Sequence, residues 1–146
     1  MEMTSLLDMH LEDTPDLEIV PGGAQYEMKI NSAKAVPSRS SDRTMIRLVL
    51  SINDHPNAQS VFENLVYPLP SDEEGTANLM KRRIRDALLA FGIDLTDQDM
   101  MTPEENEKGE PCFPQWEGLT AWAALKVEKN QNGDDENRIA SWVKRR

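Results

Sequence analysis

The chain has 146 residues, of which 38% are apolar and 29% charged, and a formal net charge of -10. This length and composition fit one globular domain with its own core. The single cysteine, Cys112, excludes an internal disulfide and favours a reducing compartment. No apolar run approaches the roughly 18 residues of a membrane span, and residues 1–20 lack the Lys or Arg that opens a signal peptide. We therefore expect a cytoplasmic protein without a membrane segment.

The negative charge is concentrated in two segments. Residues 1–27 hold seven acidic and no basic residues, and residues 94–117 hold eight acidic residues and one basic residue. The rest of the chain has fifteen Lys or Arg against eleven Asp or Glu, a charge of +4. Because local potential steers a charged partner more than total charge does, a polyanionic partner is compatible with this chain.

The first half of the sequence predicts an arm followed by strands. Residues 1–24 are predicted to form an acidic, flexible N-terminal arm that ends at the breaker "PGG". The folded domain is expected over residues 25–146. Its first three strands are predicted in "QYEMKINSAKAV", "TMIRLVLSI" and "SVFENLVYPL". In the first half of the first segment and throughout the second, every second residue is apolar, and the third is rich in residues that favour strands.

A helix is predicted next, because Met80, Ile84, Leu88 and Phe91 recur at helical spacing and Gly92 is typical of a helix C-terminus. Its polar side carries four cations, namely Lys81, Arg82, Arg83 and Arg85. Helix polar faces are commonly charged and solvated, so we expect a structural role for this cluster. The alternatives are an extended path for DNA or docking of an acidic arm from a neighbouring copy.

The last part of the chain predicts a loop and two more strands. Residues 94–117 combine prolines and carboxylates without periodicity and predict a long acidic loop. The strands "LTAWAALKVEK" and "NRIASWVKR" follow, joined by "NQNGDDE", whose Asn-Gly pair is typical of a hairpin turn. Strict alternation would place four side chains on one shared polar face, namely Trp122, Lys126, Arg138 and Trp142.

Three strands, one helix and two strands is the element order of an OB fold. We therefore predict a mainly β protein, a five-stranded antiparallel OB-fold-like barrel with the helix between strands 3 and 4. Another small α+β sheet is the alternative, since element order does not determine topology.

Several motifs also carry a resemblance: an acidic arm, "VPGGAQYEMKI", "MIRLVLSI", "LLAFGID" and "GLTAWAALKVEKNQNGDDENRIASWV". In this layout the chain resembles small phage-encoded OB-fold proteins, often filed as a domain of unknown function, from about Pro21 to Val143. The resemblance implies single-stranded DNA binding in phage replication and recombination. Many such proteins recruit partners through an acidic C-terminal tail, whereas this chain ends in "WVKRR".

No catalytic constellation is visible in the sequence. His10 and His55 are the only histidines, and zinc-ligand spacing, a phosphate loop and a nucleophile elbow are absent. Acidic runs such as "SDEEG" and "TPEENEKGE" could supply ligands to Mg²⁺, but runs of this kind are usually solvated. We therefore expect neither an enzyme nor a bound cofactor or metal.

Single-stranded DNA binding requires cations for the phosphates and flat side chains for the bases. Tyr67 and Trp116 are two candidates for stacking. The predicted nucleic-acid-binding residues are Lys34, Arg39, Arg43, Arg47, Trp122, Lys126, Lys129, Arg138 and Trp142. For each tryptophan, burial in the core is the alternative, because its large apolar area favours burial.

A non-enzymatic adaptor or inhibitor that docks on a basic surface of a partner protein is the alternative function. Residues 1–20 alternate carboxylates with apolar side chains, and such a segment can occupy a basic groove. The expected partners are thus single-stranded DNA and, through residues 1–20 or 94–117, phage replication or recombination proteins. The sequence does not determine whether the protein forms a homo-oligomer. If the protein is phage-encoded, we expect it to act in the host cytoplasm.

Overall fold

The computed structural model describes residues 5–38 and 42–144, which form an open antiparallel sheet with one main helix. The elements in chain order are β1 Gln25–Pro37, β2 Thr44–Ile52, β3 Val61–Val66, α1 Glu74–Ala90, α2 Gln98–Met101, β4 Glu104–Glu105, β5 Pro111–Cys112, β6 Thr120–Lys129 and β7 Asp135–Trp142. The predicted mainly β fold with one main helix is confirmed. The closed five-stranded barrel is not confirmed, because the sheet is open and has seven strands.

The long strand β1 is the centre of the sheet. From Met28 to Pro37 it pairs with β2, while its other edge pairs first with β6 and then, at Lys34, with the short β5. Beyond these neighbours, β2 pairs with β3 and β6 pairs with β7. The outermost strands β3 and β7 approach within 8 Å between Cα atoms, but no ladder joins them in the described part of the chain.

The inner face of the sheet forms the core. Alternation sends every second side chain inward, and a bulge between Ile30 and Ser32 shifts this pattern so that Ala33 is buried. Helix α1 covers the inner face with Ala87, Leu88 and Ala90. The buried apolar strand residues are Met28, Ile30, Ala33, Ile46, Leu48, Leu50, Ile52, Val61, Leu65, Ala121, Ala123 and Leu125.

The predicted acidic loop at 94–117 contains α2, β4 and β5 and is anchored by two aromatic rings. Phe113 and Trp116 stack with 3.9 Å between centroids, and both are buried. The indole Nε1 of Trp116 donates to the carbonyl oxygen of Met100 at 2.8 Å. Because only 1% of Trp116 is exposed, this ring belongs to the core and cannot stack on a base.

The N-terminal segment contacts the sheet from Glu18 onward, before the predicted boundary at residue 24. Glu18 forms a parallel bridge with Ala58. Val20 is buried, and both of its backbone groups bond to the side chain of Asn137: Val20 N donates to Oδ1 and Nδ2 donates to Val20 O, each at 2.9 Å. Residues before Glu18 form two short 3₁₀ turns, Leu6–Met9 and Leu11–Asp13.

Candidate nucleic-acid interface

The outer face of the sheet brings two of the predicted cations together. Lys34 of β1 lies opposite Arg47 of β2, and Arg47 lies opposite Asn64 of β3. Directly opposite residues project to the same side of a sheet, and their neighbours Ala33, Leu48 and Leu65 are buried on the other side. The three polar side chains therefore form one row across β1, β2 and β3.

Arg47 also contacts an exposed aromatic ring. Its guanidinium carbon lies 5.7 Å from the ring centroid of Phe62, within the range of a cation–π interaction. Phe62 is 43% exposed, so part of its ring is accessible from solvent. Arg47 Nε and Asn64 Oδ1 are both buried and have no hydrogen-bond partner among the described residues. The outer face at β2 and β3 thus combines the Phe62 ring and the Arg47 guanidinium with two polar atoms that lack a hydrogen-bond partner in the part of the chain that the structure describes.

Phe62 is not among the binding residues predicted from the sequence. The signal was present, because alternation in "VFENLV" places Val61, Glu63 and Leu65 on one side of β3 and Phe62 and Asn64 on the other. Val61 and Leu65 are buried, so the phenylalanine is on the solvent side. An apolar residue on the polar side of a half-buried strand is the feature that would have identified it.

A second aromatic side chain, Trp122, lies farther along the same outer face. It is 50% exposed and is opposite Glu27 of β1, whose carboxylate accepts from Asn53 Nδ2 at 2.8 Å. Lys29, two residues along β1, is exposed and faces the same side. Strand spacing of about 4.8 Å and a rise of about 3.4 Å per residue place Trp122 roughly 20 Å from Phe62.

The prediction that Trp142 shares the outer face with Trp122 is wrong. A bulge between Ala124 and Leu125 of β6 leaves Ala140 of β7 unpaired, so Trp142 lies opposite the fully buried Ala123. Its ring packs edge-on against Phe91 with 5.0 Å between centroids. One extra residue in a strand reverses the facing of all that follow, and it turns Trp142 toward the inner face.

Four of the predicted cations, Lys34 among them, bind carboxylates of this chain. Lys126 and Arg138 lie opposite each other on the outer face, as expected, but neither is free. The ion pairs are Lys34–Glu110 at 3.6 Å, Lys126–Glu128 at 2.6 Å, Lys129–Asp135 at 2.7 Å and Arg138–Glu136 at 2.6 Å. Exposed pairs of this kind are weak and exchange readily, so a phosphate can compete for these cations.

Arg43 has a different role from the four cations above. Its guanidinium binds both carboxylate oxygens of Asp72, at 2.5 and 2.6 Å, and donates to the carbonyl oxygen of Tyr67. Asp72 also accepts from the backbone N–H of Leu69, and these interactions lower the pKa of Asp72 from 3.8 to about 2, the bond from Arg43 being the largest cause. We assign Arg43 a structural role, in which it joins β2 to the segment before α1. Arg39 lies outside the described residues.

The helix cations extend from α1 near a cleft. Lys81, Arg82 and Arg83 are exposed and make no ion pair with any described residue, whereas Arg85 binds Asp86 at 3.0 Å. Asp72, in the acidic turn before the helix, is bound by Arg43 and not by a cation of α1. The cleft beside Arg83 has a volume of about 1150 Å³ and lies between α1, β3 and β7.

Glu63 lines this cleft on the inner side of β3. Burial raises the pKa of its carboxyl group above the usual 4.5, although the backbone of Asn64, the Trp142 side chain, Arg138 and Arg83 act in the opposite direction. Within the described ranges, no three His, Cys, Asp or Glu residues are grouped so that they could hold a metal ion. No helix in those ranges is long and apolar enough to cross a bilayer.

The comparisons with known proteins do not assign a family to this chain. A scan against models of protein families and a search of curated proteins each found no match.

Proposed function

We propose that this protein binds single-stranded DNA without sequence specificity and without catalysis, through the outer face of its sheet. The observation that carries the proposal is Arg47 lying over the exposed ring of Phe62, beside Lys34. A base can stack on Phe62 while Arg47 and Lys34 contact the flanking phosphates. The resemblance to phage proteins extends the proposal to phage replication or recombination in the host cytoplasm.

An OB-type barrel is part of the same proposal. In that fold β1 pairs with the second and fourth strands, and the third and fifth strands meet. The pairing of β1 with β2 and β6, the helix between β3 and β6, and the approach of β3 to β7 support this arrangement. OB folds bind oligonucleotides on the face of their second and third strands, and Arg47 and Phe62 lie on β2 and β3.

A track across the outer face supports binding of several nucleotides. Trp122, Lys29, Phe62 and Arg47 follow one another along the direction of β1, so that aromatic and cationic side chains alternate. Glu27 beside Trp122 opposes a phosphate at that end of the track. We therefore expect the end at Arg47 and Phe62 to contribute most of the affinity.

The test is fluorescence anisotropy of a labelled oligo-dT titrated with the protein at low salt. Base stacking contributes about 1–3 kcal/mol, so Phe62→Ala should weaken binding by roughly 5- to 150-fold. Leu79→Ala is the matched control, because Leu79 is similarly exposed but lies on α1. Equal affinities of wild type and Phe62→Ala would refute the proposed site.

The choice between the sheet and the helix needs a second pair of variants. Arg47→Ala should weaken binding, and Arg82→Ala should leave it within about twofold, a difference of under 0.5 kcal/mol. If Arg82→Ala weakens binding more than Arg47→Ala, the DNA follows α1 and the proposed interface is wrong. Circular dichroism of each variant verifies that the fold is retained.

A second candidate function is favoured by the N-terminal segment. Residues 5–17 carry four carboxylates and no Lys or Arg, and they expose four leucines: Leu6, Leu7, Leu11 and Leu17. Such a segment is suited to a basic surface with apolar pockets, as an adaptor or inhibitor needs. The test compares co-purifying proteins of wild type and a variant with Leu6, Leu7 and Leu11 changed to Ser. Identical sets would refute this function.

A further inference from the structure

The cleft between α1, β3 and β7 is a large apolar opening. Its floor is formed by apolar side chains of α1 and β7 and of the turn after the helix, including Leu89, Ala90, Ile93, Ile139 and Trp142. Leu89 is 44% exposed, although it lies beside buried residues of the same helix. A cleft of about 1150 Å³ exceeds the usual size of a small-molecule pocket, which is about 300–1000 Å³. It is large enough to hold several side chains of a peptide segment.

Two cations that pair with no described carboxylate line this cleft, one on α1 and one after β7. Arg83 and Lys144 line it and form no ion pair with any described residue, and Lys81 and Arg82 extend the positive charge along α1. The acidic residues of the cleft lining are mostly engaged. Asp86 binds Arg85, and Asp94 accepts from the backbone and side chain of Thr96. The remaining carboxylate, Glu63, is on the buried inner side of β3.

Residues 5–17 have the complementary chemistry. Their acidic side chains are Asp8, Glu12, Asp13 and Asp16, and no cation accompanies them. Leu7 is 88% exposed and Leu6 is 70% exposed, so these side chains are not covered by the chain's own sheet. Exposed leucines at this density mark a segment that gains free energy when it is covered.

We propose that the acidic, leucine-bearing segment 5–17 of one copy docks in the α1–β3–β7 cleft of a second copy. The leucines cover the apolar floor, and the carboxylates face Arg83, Lys144 and the cations along α1. This inference identifies a partner for the segment named in the second candidate function and does not depend on DNA binding.

A second copy is the favoured occupant because of where the segment is held. Contacts with Ala58 and Asn137 fix the chain at Glu18 and Val20, and the preceding residues lie with their leucines in solvent. Within one chain the segment thus leaves the cleft open. Two copies that exchange their segments reciprocally form a closed pair, because each copy supplies one segment and one cleft.

The first experiment separates the two halves of the contact. A labelled peptide of residues 5–17 is titrated by anisotropy into a protein that lacks residues 1–17 but keeps Glu18 and Val20. The peptide should bind at low salt, and the same peptide with Leu6, Leu7 and Leu11 changed to Ser should bind at least tenfold more weakly. Equal binding of both peptides, or no binding, would overturn the proposal.

Two residues of α1 provide a matched pair of variants for the cleft. Leu89 and Leu79 are each 44% exposed, but only Leu89 lines the cleft. Leu89→Asp should weaken the peptide at least tenfold, whereas Leu79→Asp should change its affinity less than threefold. If Leu89→Asp does not fold, Arg83→Glu replaces it with Lys29→Glu as the control, because Lys29 is exposed on the outer face of the sheet and does not line the cleft. Equal effects of the matched variants would contradict docking in the cleft.

The second experiment tests the second copy. Sedimentation velocity of the full chain over a concentration series should show a dimer that dissociates on dilution. The protein without residues 1–17 and the Leu89→Asp variant should stay monomeric. A monomeric full chain that no longer accepts the peptide would show that the segment fills its own cleft, which overturns docking between copies. Failure of these experiments leaves the oligo-dT test unaffected, because that test depends on Phe62 and Arg47, which do not line the cleft.

Discussion

Asn137 joins the N-terminal segment to the sheet. We expect replacement of this one side chain by alanine to lower the free energy of unfolding substantially. The side chain is 4% exposed and makes two bonds of 2.9 Å to the backbone N–H and C=O of Val20, which is itself buried. Asn137→Ala removes both bonds and leaves two buried backbone groups unpaired. Each buried group without a partner costs about 1–3 kcal/mol, so we expect the free energy of unfolding to fall by about 2–6 kcal/mol for the two groups.

Urea denaturation followed by tryptophan fluorescence measures this difference. Asn31→Ala is the control, because Asn31 is exposed and its Oδ1 accepts only a 3.3 Å bond from Ser51. An exposed change of this kind should cost less than about 0.5 kcal/mol. Limited proteolysis should also cut Asn137→Ala sooner between residues 17 and 24. A loss no larger than that of Asn31→Ala would refute the reasoning that Asn137 anchors the segment.

Two further predictions concern carboxylates with shifted pKa values. The pKa of Asp72 is lowered from 3.8 to about 2. A carboxyl group with a lowered pKa stabilises the folded state fully at pH values above 3.8, and this stabilisation is lost as the pH falls toward 2. Asp72→Asn should therefore lower the urea midpoint at pH 7, with a difference that shrinks between about pH 4 and pH 2; a constant difference would contradict the pairing with Arg43. Burial raises the pKa of Glu63 above 4.5. At pH values above the raised pKa, the buried charge destabilises the folded state; well below 4.5 the group is protonated in both states and has no such effect. Glu63→Gln should raise the melting temperature at pH 7 and change it little below about pH 4, and a lower melting temperature at pH 7 would refute this reasoning.

The regular elements could be predicted because they depend on local patterns. Alternation in "TMIRLVLSI" places Ile46, Leu48, Leu50 and Ile52 on one side, and all four are buried in β2. The apolar stripe of α1 and the glycine after it likewise predicted the helix and its end, where Gly92 has a φ of 76° and Ile93 N donates to Leu88 O. A pattern of this kind is determined by which residues must avoid water.

The candidate site depends on features that local patterns do not encode. The unpaired Ala140 reverses the facing of Trp142, and no single-residue pattern predicts where a strand will bulge. The bond between Arg43 and Asp72 spans 29 positions, and that between Asn137 and Val20 spans 117. The sequence indicated which charges were present, but the partners of these charges follow from the topology of the sheet.

The most direct test of the DNA-binding proposal is the salt dependence of oligo-dT affinity for wild type and Arg47→Ala. For a single strand, the slope of the logarithm of affinity against the logarithm of salt is about -0.7 for each neutralised phosphate. We predict salt-dependent binding by wild type, quenching of Trp122 fluorescence, and a slope that is shallower by about 0.7 in Arg47→Ala. A folded wild-type protein that does not bind oligo-dT at low salt, or two equal slopes, would contradict DNA binding through Arg47.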